Sequence, residues 1–379
     1  MSKILIAPDS FKGTMSAVTV CENIEPAAQR YFPQADIVSL PVADGGEGTV
    51  DSFLYAKPGR RIAVKARNPL GKTVTTRYAL MDDGTAVIEM AAAAGLPLVY
   101  RNRDVMKAST YGVGEQIADA IKRGAAKIVI GLGGSATNDA GTGALAALGA
   151  KFFSKRGEAF VPTGATLTDI ARIDTEALEK TVDGVEFRIM TDIDNPLYGE
   201  NGAAYVFAPQ KGADAAQVEL LDKGLRHFAA VVERDFAVDP QQIKGGGAAG
   251  GMGAGLKIFL NGTIRMGIDI VLDELDFDRH LADALFVISG EGKVDGQTVR
   301  GKVLHGIGNR CARHGVPLYA IVGDIADGAE QLYEHGVTGI FSINRLAIPF
   351  RYARKRAAED LRFTADNLMR VLAARDQSQ

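Results

Sequence analysis

Four loops rich in glycine and carboxylate, each placed where an apolar run ends, constrain this chain more than any single motif does. They read ADGGEGT (residues 43–49), GLGGSATND (131–139), KGGGAAGGMGAG (244–255) and GEGKVDGQTVRGK (290–302). Glycine lets backbone N–H groups come close to an anion, and a helix that follows adds the positive end of its dipole. Asp and Glu in the same loops repel a bare phosphate unless a divalent cation sits between them. The combination points to a metal–phosphate ligand such as Mg-ATP, held by parts of the chain far apart in sequence.

Around these loops the pattern is that of parallel α/β architecture. Lys3 to Pro8 is a short strand-like run with Asp9 and Ser10 at its carboxyl end, and Ala17, Val20, Cys21, Ile24 and Ala28 follow at helical spacing. Asp36 to Val42 repeats the strand, ADGGEGT follows it, and a helix is expected near Thr49 to Ala56. Two β-loop-α units imply a parallel sheet with right-handed crossovers. From Arg61 to Ala91 the rhythm changes to three strand-like runs joined by the turn sequences Asn68-Pro69-Leu70-Gly71 and Asp82-Asp83-Gly84, which make antiparallel hairpins. Helix and strand then alternate through KIVIGLG, EFRIMTD and the amphipathic stretch from Asp214 to Phe236. The first rhythm resumes near Ala284 with ALFVISG, VPLYAIVG, a helix near Ala326 to His335, and GIFSI.

The expectation is therefore an α/β protein with one discontinuous, flavodoxin-like parallel-sheet domain (1–60 plus 285–379) and a second α/β domain inserted at 61–284. The length of 379 residues fits two domains. The glycine run at 245–255 is also a candidate hinge. The C-terminal helix presents Ala357, Leu361, Ala365, Leu368 and Leu372 on one face, for packing on the sheet or on a second copy in a homo-oligomer.

Composition narrows the function classes. A net charge of −3 gives no electrostatic footprint for nucleic acid or an anionic membrane. The N-terminal apolar stretch is too short for a signal peptide, and a cytoplasmic location is expected. Cys21 and Cys311 sit in apolar helical patterns and read as small buried hydrophobes. The five histidines fall outside the loops, and no H-E-x-x-H motif or Cys–His cluster supports zinc hydrolysis or Cys–His catalysis.

GLGGSATND follows a strand and precedes a helix, so its N–H groups face a ligand at the sheet's carboxyl edge, or it is simply a tight turn needing small residues. It formally matches G-x-G-x-x-A, but no acid stands about 20 positions on at Lys151 to Lys155, which argues against a dehydrogenase. Gly296 to Val303 resembles a phosphate-binding P-loop, yet Val303 stands where a hydroxyl would coordinate Mg²⁺. Lys302 then meets a phosphate oxygen or is solvated. Thr191-Asp192-Ile193-Asp194 echoes the D-x-D of aspartyl-phosphate phosphatases, though Asn195 and Pro196 do not continue that pattern. Asp192 suits metal ligation or general-base work, or caps the next turn. Asp44 and Glu47 suit a metal site, or one of them caps a helix.

Taken together, APDSFKGTMSA (7–17), PVADGGEGTVD (41–51), GLGGSATND and SGEGKVDGQTVRGK resemble, in order and across essentially the whole chain, the glycerate kinase family of the bacterial type I group. The resemblance implies ATP- and Mg²⁺-dependent phosphorylation of D-glycerate, with 2-phosphoglycerate the favoured product, and a restriction-endonuclease-like inserted domain. With that family in view, the nucleotide phosphates are expected on Gly133, Gly134, Ser135, Thr137 and Asn138 and on Gly246, Gly247, Gly250 and Gly251. Mg²⁺ is expected at Asp44, Glu47 and Asp295. Asp192 is expected as the base toward the glycerate hydroxyl, with Asp295 and Lys302 also catalytic. Asp9, Ser10, Lys12 and Arg67 are expected to receive glycerate, and the loops to meet across an interdomain cleft. One departure stands out: Ala140 follows Asp139 where the family has glycine, at a helix start expected not to need a positive φ.

Overall fold

A computed structural model describes residues 3–295 and 303–376. The chain divides into two compact units. The first holds Met1–Asp44, Asp51–Lys57 and Ile268–Gln379, and the second holds Gly45–Val50 and Pro58–Gly267.

In the first unit five strands form one sheet in the spatial order Val337–Ser342, Leu318–Val322, Ala284–Ser289, Lys3–Ile6, Asp36–Ser39. Every pairing is parallel. The chain leaves its first strand to one side and returns on the other, so a crevice opens at the carboxyl ends of Lys3–Ile6 and Ala284–Ser289. Ile4, Leu5 and Ile6 are all fully buried, as expected for a central strand covered on both faces. The helices Ala17–Tyr31 and Phe350–Asp376 pack on this sheet, with Cys21, Ile24, Leu361, Leu368 and Met369 in one apolar cluster. The apolar face of the C-terminal helix is thus covered by its own unit. Ser16 caps the first helix by accepting a hydrogen bond from the Thr19 N–H at 3.1 Å. The segment expected as a helix near Ala326 to His335 is a 3₁₀ stretch, Ala329–His335, bounded by left-handed Gly328 and Gly336.

The second unit carries a mixed six-stranded sheet in the order Thr263–Arg265, Glu186–Met190, Lys127–Gly131, Thr85–Glu89, Thr73–Met81, Gly59–Arg67. The first four strands are parallel, and the hairpins expected from the turn sequences add the last two antiparallel. The helix Ala215–Phe236 starts with a capping box in which Asp214 and Gln217 satisfy each other's backbone N–H groups. No helix among the described residues is long and apolar enough to cross a membrane.

Candidate active site

Three of the four loops meet within the second unit. Gly131, at the end of the strand Lys127–Gly131, lies so close to the Gly45 carbonyl that a Cβ there would stand 2.0 Å from its oxygen. Gly45 has φ of +93°, and a Cβ there would meet the Met190 Cβ at 2.8 Å. Both positions therefore require glycine. Two glutamate-to-amide bonds hold the loop from the other side: Glu89 Oε1 accepts from the Gly48 N–H at 3.1 Å and the Val50 N–H at 2.9 Å. These amides open the helix Thr49–Ala56, so neither Asp44 nor Glu47 is needed to satisfy them. Residues 45–50, expected with the first sheet, thus belong to the second unit.

The glycine run Gly245–Gly255 packs on the far end of GLGGSATND. A Cβ on Gly250 would lie 2.1 Å from the Thr137 carbonyl oxygen, and the Ala140 N–H donates to the Gly250 carbonyl at 2.9 Å. Gly246, Gly247, Gly250 and Gly251 are all buried against protein atoms, and the run continues into the helix Ala248–Phe259. Their smallness is used for backbone packing; in the same loop system Gly133 and Gly134 are the exposed pair. Ala140 has φ of +53°, so the expectation that this position needs no positive φ is corrected. The left-handed turn at Ala140 and Gly141 (φ +75°) lets the loop fold over Asp139 before the helix Thr142–Ala147 begins.

Asp139 is fully buried and accepts from the Thr110 N–H (2.7 Å), the Thr110 hydroxyl (2.9 Å) and the Gly141 N–H (3.2 Å). Burial raises its pKa, and these hydrogen bonds oppose the rise. Lys211, unforeseen in the sequence, is only 3% exposed and donates from Nζ to the Ser135 hydroxyl at 2.9 Å and the Thr137 carbonyl at 2.7 Å. Thr137 Oγ1 and both polar side-chain atoms of Asn138 are buried with no hydrogen-bond partner among the described residues. Such atoms each cost about 1–3 kcal/mol when left unpaired, which marks the loop as built to meet another group.

Asp192 follows the strand Glu186–Met190 and is half-buried, with Oδ1 accepting from the Gly267 N–H at 3.1 Å. Arg67 is exposed and already engaged: it stacks 4.1 Å over the Tyr111 ring and pairs with Glu115 at 3.5 Å.

In the first unit, the strand ends bring Asp9, Ser10 and Lys12 beside the start of the fourth loop. The Asp9 N–H donates to the Gly290 carbonyl at 2.8 Å, and a Cβ on Gly292 would stand 3.0 Å from the Lys12 nitrogen. Desolvation by burial, and then the Asp44 charge, push the Asp9 carboxyl up to about 7, against bonds from Ser10. Lys12 is exposed, and Asp295 pairs with Lys293 at 3.6 Å. Lys302 lies outside the described residues. Among the described residues no group of three or more His, Cys, Asp or Glu forms a ready metal site. Asp9 and Asp44 are oxygen donors of the kind a hard divalent cation takes, and a cation beside them would offset the burial, and after it the Asp44 charge, that raise Asp9.

Fold and loops together define an α/β protein whose strand ends present N–H groups, small residues and carboxylates, the chemistry a metal–phosphate ligand needs. A model of the glycerate kinase family matches residues 4–373. The chain is 43% identical over 368 residues to a glycerate kinase of Bacillus subtilis (strain 168), covering 97% of this chain and 96% of that one. It is 42% identical over 343 residues to a glycerate 2-kinase of Escherichia coli (strain K12), covering 90% of each. A crystal structure from Salmonella typhimurium LT2, provisionally described as glycerate kinase 2, superposes with a TM-score of 0.90 at 42% identity over 99% of both chains. The chain belongs to the glycerate kinase family.

Proposed function

We propose that this protein transfers the γ-phosphate of ATP to the 2-hydroxyl of D-glycerate. Membership of the family makes it an ATP-dependent kinase acting on glycerate. The finer reading concerns the type I group, the hydroxyl chosen and the residues that act. The observation that carries it is the loop Gly131–Asp139, with its exposed Gly133 and Gly134 and, just beneath the surface, Thr137 and Asn138 side chains that have no hydrogen-bond partner among the described residues. Phosphoryl transfer asks the protein mainly for positioning and charge neutralisation, so such a loop supplies much of what is needed.

In this reading Gly133, Gly134, Ser135, Thr137 and Asn138 receive the phosphates, and Gly246, Gly247, Gly250 and Gly251 support that loop from behind. Asp192 orients the glycerate hydroxyl and takes its proton, a role suited to a half-buried carboxylate at a strand's carboxyl end. Asp9, Ser10, Lys12 and Arg67 bind the glycerate carboxylate and hydroxyls; Arg67 must release Glu115 to do so. Asp44, with Glu47 and Asp295, would hold Mg²⁺, which would neutralise charge on the transferring phosphoryl group. Lys302 is proposed, from the sequence alone, to meet a phosphate oxygen. The strand order of the first unit favours a flavodoxin-like domain, and the second is taken as the restriction-endonuclease-like insert. Loops from both act on one pair of substrates in the interdomain cleft inferred from the sequence.

A coupled assay of ADP release over a panel of small hydroxy acids tests this. ATP-dependent turnover is expected with D-glycerate. Hydrolysis of phosphoglycerate without nucleotide, with a trapped aspartyl phosphate on Asp192, would instead favour a phosphatase of the D-x-D type. Binding of glycerate or ATP with no ADP released would favour a metabolite sensor.

A further inference from the structure

We infer that Lys211 is a positioning residue of the nucleotide loop, holding Ser135 and Thr137 so that the loop stays open to the phosphates and placing a positive charge beneath it. This rests on the reading of Gly131–Asp139 as the phosphate-binding loop.

The geometry is specific. Lys211 closes the short 3₁₀ turn Pro209–Lys211, which Gly212 ends at φ of +100°. That turn is fixed in place: Arg103 Nη1 donates to the Gln210 carbonyl at 2.9 Å, and a Cβ on Gly212 would stand 2.9 Å from the Arg103 Cβ. From this anchor the side chain reaches a loop more than 70 residues away in sequence and spans it, with one bond to the Ser135 hydroxyl and one to the Thr137 carbonyl. An ammonium group has three donors, and these two bonds leave one in hand.

The electrostatics point the same way. Lys211 makes no ion pair among the described residues, and the oxygens of its charged neighbour Asp139 accept from Thr110 and Gly141. Burial lowers the Lys211 pKa to about 7, with Asp139 partly opposing the shift. Charges on adjoining segments are engaged elsewhere: Arg103 with Gln210, Asp104 with Lys107 at 3.2 Å, and Asp214 as the cap of its own helix. A buried amine compensated only in part by Asp139, with no ion-pair partner of its own among the described residues, is unfavourable in the free protein. A bound phosphate chain adds negative charge and draws a proton onto Lys211.

Two measurements test the inference together. Hydrogen exchange with and without ATP reports whether residues 132–138 are protected. Calorimetry of ATP binding near pH 7.5, in buffers of different ionisation enthalpy, reports proton uptake for the parent and K211M, with thermal melting as a check on folding. Expected are ATP protection at 132–138, an ATP Kd at least tenfold weaker in K211M, loss of proton uptake, and a glycerate KM within twofold of the parent. K211R, should K211M not fold, is expected to keep ATP affinity within a few-fold while losing the uptake, since a guanidinium does not titrate there. Protection at 132–138 with parental affinity and uptake in K211M would overturn the role of Lys211, as would uptake retained by K211R. Absence of protection at 132–138 would overturn the loop reading itself.

Discussion

Glu89 offers the most direct test of how the ADGGEGT loop is held. Its Oε1 accepts from the Gly48 and Val50 N–H groups at 3.1 and 2.9 Å, at the start of the helix Thr49–Ala56. Hydrogen bonds to a charged group contribute about 1.5–3 kcal/mol each. The pair is half-buried, so water replaces part of what is lost, and about 2–3 kcal/mol in total is expected for Glu89→Ala. At about 1.4 kcal/mol per tenfold, that lowers the exchange protection of the Gly48 and Val50 amides about 30- to 140-fold. Glu89→Gln keeps an acceptor and loses the charge–dipole term of about 0.3–1 kcal/mol, so its effect stays below about tenfold. Residue-resolved hydrogen exchange reads both, with the amides of the strand Lys127–Gly131 as an internal control that should not change. Because the loop carries Glu47, kcat/KM for glycerate should fall in the same order. Glu89→Ala with protection within twofold of the parent would refute the argument that this carboxylate holds the loop.

Asp192→Asn should abolish turnover while ATP binding by calorimetry stays within about twofold; full activity would remove Asp192 as the base. The raised Asp9 pKa means the folded state keeps a proton that the unfolded state has lost between about pH 4 and 7, so this group's contribution to stability falls as pH rises through that window. Asp9→Asn should therefore be more stable than the parent at pH 8 in denaturant melts without metal, with the gap closing toward pH 4. At Ala140, glycine relieves the left-handed strain of about 1–2 kcal/mol but loses a buried methyl and gains unfolded-state entropy, so unfolding should move by less than about 1 kcal/mol. Ala140→Val adds β-branching and bulk at the same buried site and should cost about 3 kcal/mol.

Much of the architecture is legible in the sequence because it depends on local pattern. The alternation of short apolar runs with helical stripes marks all five strands of the first sheet, and Asn68-Pro69 and Asp82-Asp83-Gly84 mark the hairpins of the second. Asp192 draws notice in the sequence because it lies just beyond a strand's carboxyl end. Glu89 ends the strand Thr85–Glu89 and meets the same criterion, but no glycine loop follows it, and its partners lie 39 and 41 residues away. Lys211 looks like a surface lysine between Gln210 and Gly212, and only tertiary packing buries it. The left-handed φ of Ala140 follows from contact with the glycine run more than 100 residues later, which no window around Asp139 contains. The same long-range packing assigns Gly45–Val50 to the second unit.

If this protein moves phosphate from ATP to one hydroxyl of glycerate, the product carries the proof. Purified protein, D-glycerate, ATP and Mg²⁺ should give one ADP per phosphoglycerate, with ³¹P–¹H coupling that places the phosphate on carbon 2. A phosphate on carbon 3 would contradict the proposed seating of glycerate, and no phosphoglycerate at all would rule out glycerate phosphorylation by this protein.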